Sequence, residues 1–269
     1  QASSSAASDV YKRQEDMHQA VQRESLAARE SAGILDASTL GKIDIQGTDA
    51  SEFLNRVYTN AWSKLAIGKC RYGLMLNEDG MVYDDGVTTR IGENHYIMTT
   101  TTGGAANVLG KLEDYLQTEW PELDVYLTSV TDHYSTASIC GPNSKKILMK
   151  LFPDVKFDDE NFPHMSFQNA SLDKVNCRIM RISFTGEHSY EINIEAKYGK
   201  SLWEKCIEAG KEFNITPYGT ETMHLLRAEK GFIIVGQDTD GTMTPIDLQM
   251  DWIVSKKKFD FIGKRSLYR

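Results

Sequence analysis

The sequence lacks any long hydrophobic run, and it is poor in cysteine and histidine. No apolar segment approaches the roughly 18 residues that a membrane-spanning helix requires, which excludes such a helix. The 4 cysteines are far apart and form no C-x-x-C pair, and no two of the 6 histidines are spaced to share a helix face. These absences argue against a disulfide framework and a metal site. We therefore expect reduced thiols and a cytoplasmic protein.

Positive charge is also scarce. The chain has 30 Lys and Arg against 38 Asp and Glu, with a formal net charge of -8, which argues against a nucleic-acid partner. No G-x-G-x-x-G, P-loop or G-x-S-x-G motif is present, so the usual dinucleotide, phosphate and serine-nucleophile sites have no support. The 269 residues suffice for one large domain or two modest ones.

The two ends of the sequence differ from the rest. The chain begins with small polar residues and without Met, so we expect residues 1–14 to be disordered or a non-native leader. The last residues, from Lys264 to Leu267, resemble the start of a helix. We therefore expect a fragment in which residues 15–269 form one domain.

Hairpins and helices alternate without strict βαβ order. Apolar spacing predicts helices over residues 15–32, 50–57, 103–119, 141–151 and 220–230, the first ended by Gly33. Alternation predicts strands over residues 40–47, 70–77, 81–91, 95–100, 124–130, 134–139, 177–184 and 190–194. The pattern predicts an α+β fold with antiparallel sheets.

An acidic pair follows the predicted turn at residues 78–80. With strict alternation, Asp85 shares a strand face with Tyr83 and Val87, whereas Asp84 shares the other with Val82. A carboxylate on an apolar face must be paired, hydrogen-bonded or protonated, which makes Asp85 a candidate for chemistry. A polar strand end whose aspartates cap a turn fits the spacing equally well.

A second candidate lies on the helix predicted over residues 220–230. Glu229 follows Leu225 and Leu226 by four and three residues, so it shares the stripe that these leucines would bury. Arg227 lies on a neighbouring stripe. Solvent-exposed salt bridging explains an isolated Arg-x-Glu pair as well. Together, inward acids, an arginine and aromatics suit a planar heterocycle with a carboxylate tail.

Many motifs resemble those of the aminomethyltransferase family, which includes the glycine-cleavage T-protein. The segments with this resemblance occur in the family's order, at residues 68–72, 77–80, 83–85, 141–142, 183–187, 190–191, 226–229, 236–238 and 260–264. Residues 58–62, 99–104, 113–121 and 217–224 look most like the C-terminal folate-binding part of the alpha subunit of heterotetrameric sarcosine oxidase.

The resemblance implies two interleaved lobes around a central folate pocket, continued in the parent by a small β-barrel. It assigns Asp85 to catalysis near the reacting folate nitrogens and Tyr72 to folate contact. It assigns Glu191 to the pterin ring and Arg227 to the glutamyl tail. We count Tyr83 and Glu229 as further binding candidates, and we expect no metal.

The implied reaction captures the iminium formed by sarcosine oxidation on tetrahydrofolate, giving 5,10-methylenetetrahydrofolate. FAD, FMN and NAD are expected only in the parent complex, with a flavin-bearing beta subunit and small subunits. A non-catalytic folate-binding module remains an alternative, although relatives of that kind carry a cysteine after the helix glycine, where Phe232 stands here. A stand-alone folate-dependent demethylase is another.

Overall fold

The computed structural model describes residues 15–269, which form two compact units. The first unit contains residues 15–38 and 132–233, and the second contains residues 39–131 and 234–269. The chain therefore passes three times between the units, as the predicted interleaving requires. The leader predicted over residues 1–14 lies outside the described residues.

The helices and strands of the described residues are numbered here in chain order. The helices are α1 (Met17–Glu30), α2 (Ala50–Val57), α3 (Ala105–Asp114), α4 (Ser144–Leu151), α5 (Gly199–Gly210), α6 (Thr220–Ala228) and α7 (Lys264–Leu267). The strands are β1 (Gly33–Asp36), β2 (Gly41–Gln46), β3 (Cys70–Leu76), β4 (Val82–Gly92), β5 (His95–Thr100), β6 (Tyr126–Ser129), β7 (Tyr134–Cys140), β8 (Ser166–Leu172), β9 (Val175–Arg181), β10 (Ser189–Glu195) and β11 (Thr216–Pro217).

The first unit is built on a six-stranded sheet in the order β11-β1-β7-β10-β9-β8. Only β1 and β11 run parallel among these pairs. Apolar residues of the sheet, such as Ile139 and Ile192, form one core with Ile147 and Leu148 of α4 and Leu202 of α5. This cluster positions β10 at the middle of the sheet.

The second unit is built on a five-stranded antiparallel sheet in the order β3-β4-β5-β2-β6. Its core joins Phe53 and Leu54 of α2 with Met98 of β5 and Val108 of α3. The predicted α+β class with antiparallel sheets is confirmed in both units. The adjacent strands β3, β4 and β5 form the expected meander.

Some elements differ from the sequence predictions. Gly33 was predicted to end the first helix, but it begins β1, which pairs with β7 and β11. The helix predicted through Glu119 ends as an α-helix at Asp114 and continues as a π-helical turn over Tyr115–Glu119. The spacing also missed β8, which forms a hairpin with β9, and α5, which packs against the core of the first unit.

Candidate functional site

A tight turn joins β3 to β4 and sets the position of the acidic pair. The Gly80 N–H donates to the Asn77 carbonyl, and the Asn77 side chain accepts from the N–H groups of Asp79 and Met81. Gly80 has φ +84, a conformation that glycine adopts readily. A Cβ there would lie 2.8 Å from the backbone of Leu267, so the turn also needs glycine to pack closely.

A β-bulge at Tyr83 interrupts the alternation of β4. Leu76 pairs with Val82 and Met75 with Asp84, which leaves Tyr83 as the extra residue. Asp84 therefore lies on the side of the sheet that carries Met75, a member of the second unit's core. The prediction that Asp85 shares a face with Tyr83 is wrong, because the bulge shifts the alternation by one residue.

Asp85 instead lies on the face of Leu74, where it meets Tyr72. The Tyr72 hydroxyl donates to Asp85 Oδ2 at 2.6 Å. Burial raises the pKa of Asp85 to about 6; the Tyr72 hydrogen bond works against this rise, and the charge of Asp84 adds to it. Burial and the neighbouring Asp85 raise the pKa of Tyr72, so its hydroxyl remains a donor. The arrangement holds a carboxyl that can gain or lose a proton near neutral pH.

Asp84 is buried more deeply, with 1% of its surface exposed. Its Oδ1 accepts from the Asp85 N–H at 2.9 Å and from the Thr101 N–H at 3.4 Å. Burial raises its pKa, against the hydrogen bonds that it accepts. The structure thus places two adjacent carboxyls on opposite faces of one strand.

Tyr83 packs toward the core of the second unit and away from Asp85. The Lys111 Nζ lies 4.7 Å from the centre of the Tyr83 ring and forms an ion pair of 2.9 Å with Glu78. Tyr83 also lines a small hollow with Val57 and Val108. Among the predicted residues of the second unit, the structure brings Tyr72 and Asp85 together and keeps Tyr83 apart.

The other predicted residues lie in the first unit. Glu191, which is half-buried, occupies the middle of β10 opposite Ser138 of β7 and Met180 of β9. Arg227 lies in the last turn of α6 with only 6% of its surface exposed. Its Nη1 donates to the Phe232 carbonyl at 3.0 Å, and the Phe232 N–H donates to the Arg227 carbonyl. These bonds close the turn after α6.

Glu229 forms part of an ion-pair cluster centred on Arg29. Arg29 donates to Glu229 and to Glu187, each at 2.7 Å, and to the carbonyls of Thr185 and Leu226. The Glu229 side chain is 52% exposed, and Leu225 is exposed as well. The predicted burial of Glu229 on a leucine stripe is therefore wrong, because α6 buries Leu226 and turns Leu225 outward.

Lys258, which no sequence pattern indicated, supports the segment beside Tyr72. Its Nζ donates to the carbonyls of Tyr58 and Asn60, and the Asn60 side chain donates to the Tyr72 carbonyl at 2.8 Å. Burial lowers the pKa of Lys258 to about 7. The run of three lysines at residues 256–258 hid this position, since such runs are usually solvated.

Residues 15–269 contain neither a membrane-spanning helix nor a cluster of metal-ligating side chains. This part of the chain has no helix with the length and hydropathy needed to cross a bilayer. It also has no group of three or more His, Cys, Asp or Glu side chains arranged to hold a metal ion. All four cysteines are buried free thiols.

A family model, sequence relatives and a solved structure all indicate the same family. The model of the GCVT N-terminal domain matches residues 4–258. Sarcosine oxidase subunit alpha from Corynebacterium sp. (strain P-1) is 59% identical over 95% of the chain, and the chain spans 26% of that relative's length. Aminomethyltransferase from Chloroherpeton thalassium is 33% identical over 90% of the chain and 65% of its own length.

A solved structure has the same fold. The glycine cleavage system aminomethyltransferase T from Bartonella henselae superimposes with a TM-score of 0.80 at 25% identity. The match covers 92% of this chain and 65% of that one.

Proposed function

This chain belongs to the family of the GCVT N-terminal domain, and from that premise we propose that it is the folate-dependent one-carbon transfer domain of a sarcosine oxidase alpha subunit. The reaction would combine tetrahydrofolate with the iminium derived from sarcosine and release 5,10-methylenetetrahydrofolate and glycine. The two protons that leave the folate amines end on the glycine nitrogen, so the reaction needs a group that accepts and returns protons.

The Asp85 carboxyl is the observation that carries this proposal. With its pKa raised to about 6, Asp85 is ionised at neutral pH yet close enough to its midpoint to move a proton readily. The Tyr72 hydroxyl fixes one of its oxygens. Tetrahydrofolate, when bound, supplies the amine nitrogens that take up the carbon. Asp85 would accept a proton there, and its negative charge would stabilise positive charge on the incoming carbon.

The remaining site residues are assigned as proposals. The chemistry of the side chains suits a folate, since Glu191 offers a carboxylate to ring N–H groups and Arg227 a guanidinium to the glutamyl tail. Tyr72 would contact the ring system beside Asp85. Tyr83 and Glu229 stay predicted binding residues, although the contacts described above, with Lys111 and Arg29, account for their positions in the fold.

The whole enzyme would contain more than this domain. The chain spans about a quarter of the length of the Corynebacterium subunit, so we assign FAD, FMN and NAD to other parts of a complex. We propose a flavin-bearing beta subunit and small subunits as partners, a cytoplasmic location, and residues 15–269 as the folate-binding domain. The chain alone would not oxidise sarcosine.

The test compares Asp85→Asn with Asp79→Asn in the assembled oxidase. Both variants remove one negative charge, and Asp79 lies exposed in the turn before β4. With sarcosine and tetrahydrofolate, we expect Asp85→Asn to lower the rate of 5,10-methylenetetrahydrofolate formation by about 10²- to 10⁴-fold. Oxygen consumption should continue, with formaldehyde released instead, and Asp79→Asn should match the wild type.

Three results would overturn the proposal. An unchanged yield of methylenetetrahydrofolate in Asp85→Asn would remove Asp85 from the chemistry. Methylene transfer by the isolated chain from an N-methyl or S-methyl donor, with no flavin partner, would instead support a stand-alone demethylase. Folate binding that persists in every variant, with no transfer by the wild-type complex, would support a non-catalytic binding module.

A further inference from the structure

Asp84 is a buried acid that the proposed reaction does not use. It lies on the core face of β4, whereas Asp85 lies on the opposite face. Burying a carboxyl there costs desolvation free energy, and a neutral or apolar side chain of similar size usually costs less. Its contacts therefore need an explanation beyond packing.

The first contact joins Asp84 to the backbone of Asp85. Asp84 Oδ1 accepts the Asp85 N–H at 2.9 Å and the Thr101 N–H at 3.4 Å. Thr101 lies in the segment that leads from β5 to α3. One oxygen thus ties the Asp85 backbone to the neighbouring loop, at the point where the bulge has loosened the strand pairing.

The second oxygen faces the start of α3. Within residues 15–269, Asp84 Oδ2 has no hydrogen-bond partner. It lies so close to Gly104, the N-cap of α3, that a Cβ there would stand 2.5 Å from it. The positive end of a helix dipole favours an ionised carboxylate at this position. The glycine therefore leaves room for the acid.

Asp84 acts electrostatically on the titratable side chains that surround it. These side chains come from the strands β3 and β4 and from the segment after α2: Asp85, Tyr72, Tyr83 and Tyr58. In each case its negative charge favours the protonated form. Asp85 is the member of this group that titrates nearest neutral pH.

We propose that Asp84 is a positioning residue for Asp85, fixing its backbone through the Asp85 N–H and placing a second negative charge behind it. This inference rests on the proposed function, in which Asp85 exchanges protons. Asp84 touches no reacting atom in this account, and it acts entirely through Asp85. The doublet of acids is then a coupled pair, with one acid on each face of the strand.

The test measures the titration of Asp85 without any folate. The 269-residue chain is labelled with ¹³C at aspartate carboxyls, and the Asp85 signal is identified by its loss in Asp85→Asn. In Asp84→Asn the amide oxygen can still accept both N–H groups, but the charge is gone. We expect the titration midpoint of Asp85 to fall by about one pH unit. The exposed control, Asp79→Asn, should leave it unchanged.

A second variant separates charge from positioning. Asp84→Ala removes both, so the Asp85 amide ¹⁵N resonance should shift and its exchange with solvent should quicken, whereas Asp84→Asn should keep both near wild type. In the assembled oxidase, Asp84→Asn should move the acid limb of the rate profile for methylene transfer to lower pH by the same amount. If Asp84→Ala does not fold, Asp84→Asn alone decides the charge effect.

The inference is overturned if the Asp85 midpoint in Asp84→Asn equals that in Asp79→Asn. It is also overturned if the Asp85 amide is unaffected in a folded Asp84→Ala. Failure of the proposed function looks different, because Asp85→Asn would then transfer the carbon normally while the titration of Asp85 still responded to Asp84.

Discussion

Tyr72 reaches Asp85 diagonally across two antiparallel strands. Val87 stands directly opposite Tyr72 and Leu74 opposite Asp85, and the hydroxyl spans the remaining distance to Asp85 Oδ2 at 2.6 Å. The bond favours the ionised acid while burial and Asp84 oppose it, and the balance leaves a pKa of about 6.

Asp85→Asn should stabilise the chain near neutral pH. The folded-state pKa of about 6 exceeds the ordinary value of 3.8, so the native state binds more protons between these values and stability falls as pH rises through them. Removing the charge should raise the free energy of unfolding by about 1–2 kcal/mol at about pH 7, a value that allows for partial exposure of the side chain. Below about pH 4 the variant should change the free energy of unfolding little. Urea unfolding at the two pH values measures the difference. Equal effects at both would contradict the raised pKa.

Tyr72→Phe should shift the Asp85 titration in the opposite direction from Asp84→Asn. The variant removes the hydroxyl that stabilises the ionised carboxylate, so the pKa of Asp85 should rise further above 6. Carboxyl ¹³C titration and the acid limb of the methylene-transfer profile report the change. Tyr126→Phe, on an exposed residue of β6, is the control. A fall in the Asp85 pKa would show that the hydrogen bond is not made.

Gly104→Ala should destabilise the second unit. The new methyl carbon would stand 2.5 Å from Asp84 Oδ2 and 2.6 Å from Thr101 Oγ1, so buried groups must move, at a cost of about 1–3 kcal/mol. Gly110→Ala, within the same helix, meets nothing within 4 Å and should stabilise by about 0.5–1 kcal/mol. Thermal unfolding of the pair gives the comparison, and equal effects would contradict the close approach at Gly104.

Arg29→Met should lower the free energy of unfolding by about 2–3 kcal/mol. Two carbonyls and the Glu187 carboxylate lose a charged donor that is 21% exposed.

Glu229→Gln should lower the free energy of unfolding by less than about 1 kcal/mol, since its side chain is 52% exposed. Denaturant unfolding measures both. If Glu229 also contacts folate, as the sequence predicted, Glu229→Gln should reduce the free energy of folate binding by more than it reduces the free energy of unfolding. Unchanged folate affinity would leave it a role in the Arg29 cluster alone.

Lys258→Met should remove a pH dependence from stability. The folded-state pKa of about 7 lies below the ordinary 10.5, so the unfolded chain binds more protons between these values and wild-type stability rises with pH across them. Between about pH 7 and about pH 9.5, the free energy of unfolding of the wild type should rise by about 1–3 kcal/mol. The variant should lack this rise. Lys257→Met, on an exposed neighbour, should keep the rise. The same slope in both variants would contradict the burial of Lys258.

Local patterns were sufficient for much of the fold. The helix expected over residues 50–57 is α2, and the glycine turn before Met81 joins β3 and β4 as expected, because capping, periodicity and turn residues act over a few positions. Gly33 shows the limit. Its local context suits a helix end, but pairing with β7 and β11, more than a hundred residues away, makes it the start of a strand.

The candidate site was only partly accessible to the same reasoning. Strand alternation singled out Asp85 and the family resemblance added Tyr72, and the structure brings these two residues into contact. The face of each acid could not be predicted, because the bulge depends on the register of two strands and not on composition. The contacts of Glu229 with Arg29 and of Lys258 with Asn60 join residues about two hundred positions apart, and no local pattern contains them.

Because β4 contains an extra residue, the pairing register of the hairpin decides which of the two consecutive aspartates stands opposite Leu74. If the strand paired without the bulge, Tyr83 would stand opposite Met75 and Asp84 opposite Leu74. A misaligned hairpin would therefore still present an acid at that location, although the wrong one. A one-residue slip therefore keeps a carboxyl opposite Leu74 but replaces Asp85 with Asp84. The net charge of the hairpin does not change, so lost turnover, and not a charge measurement, would reveal the misfolded fraction.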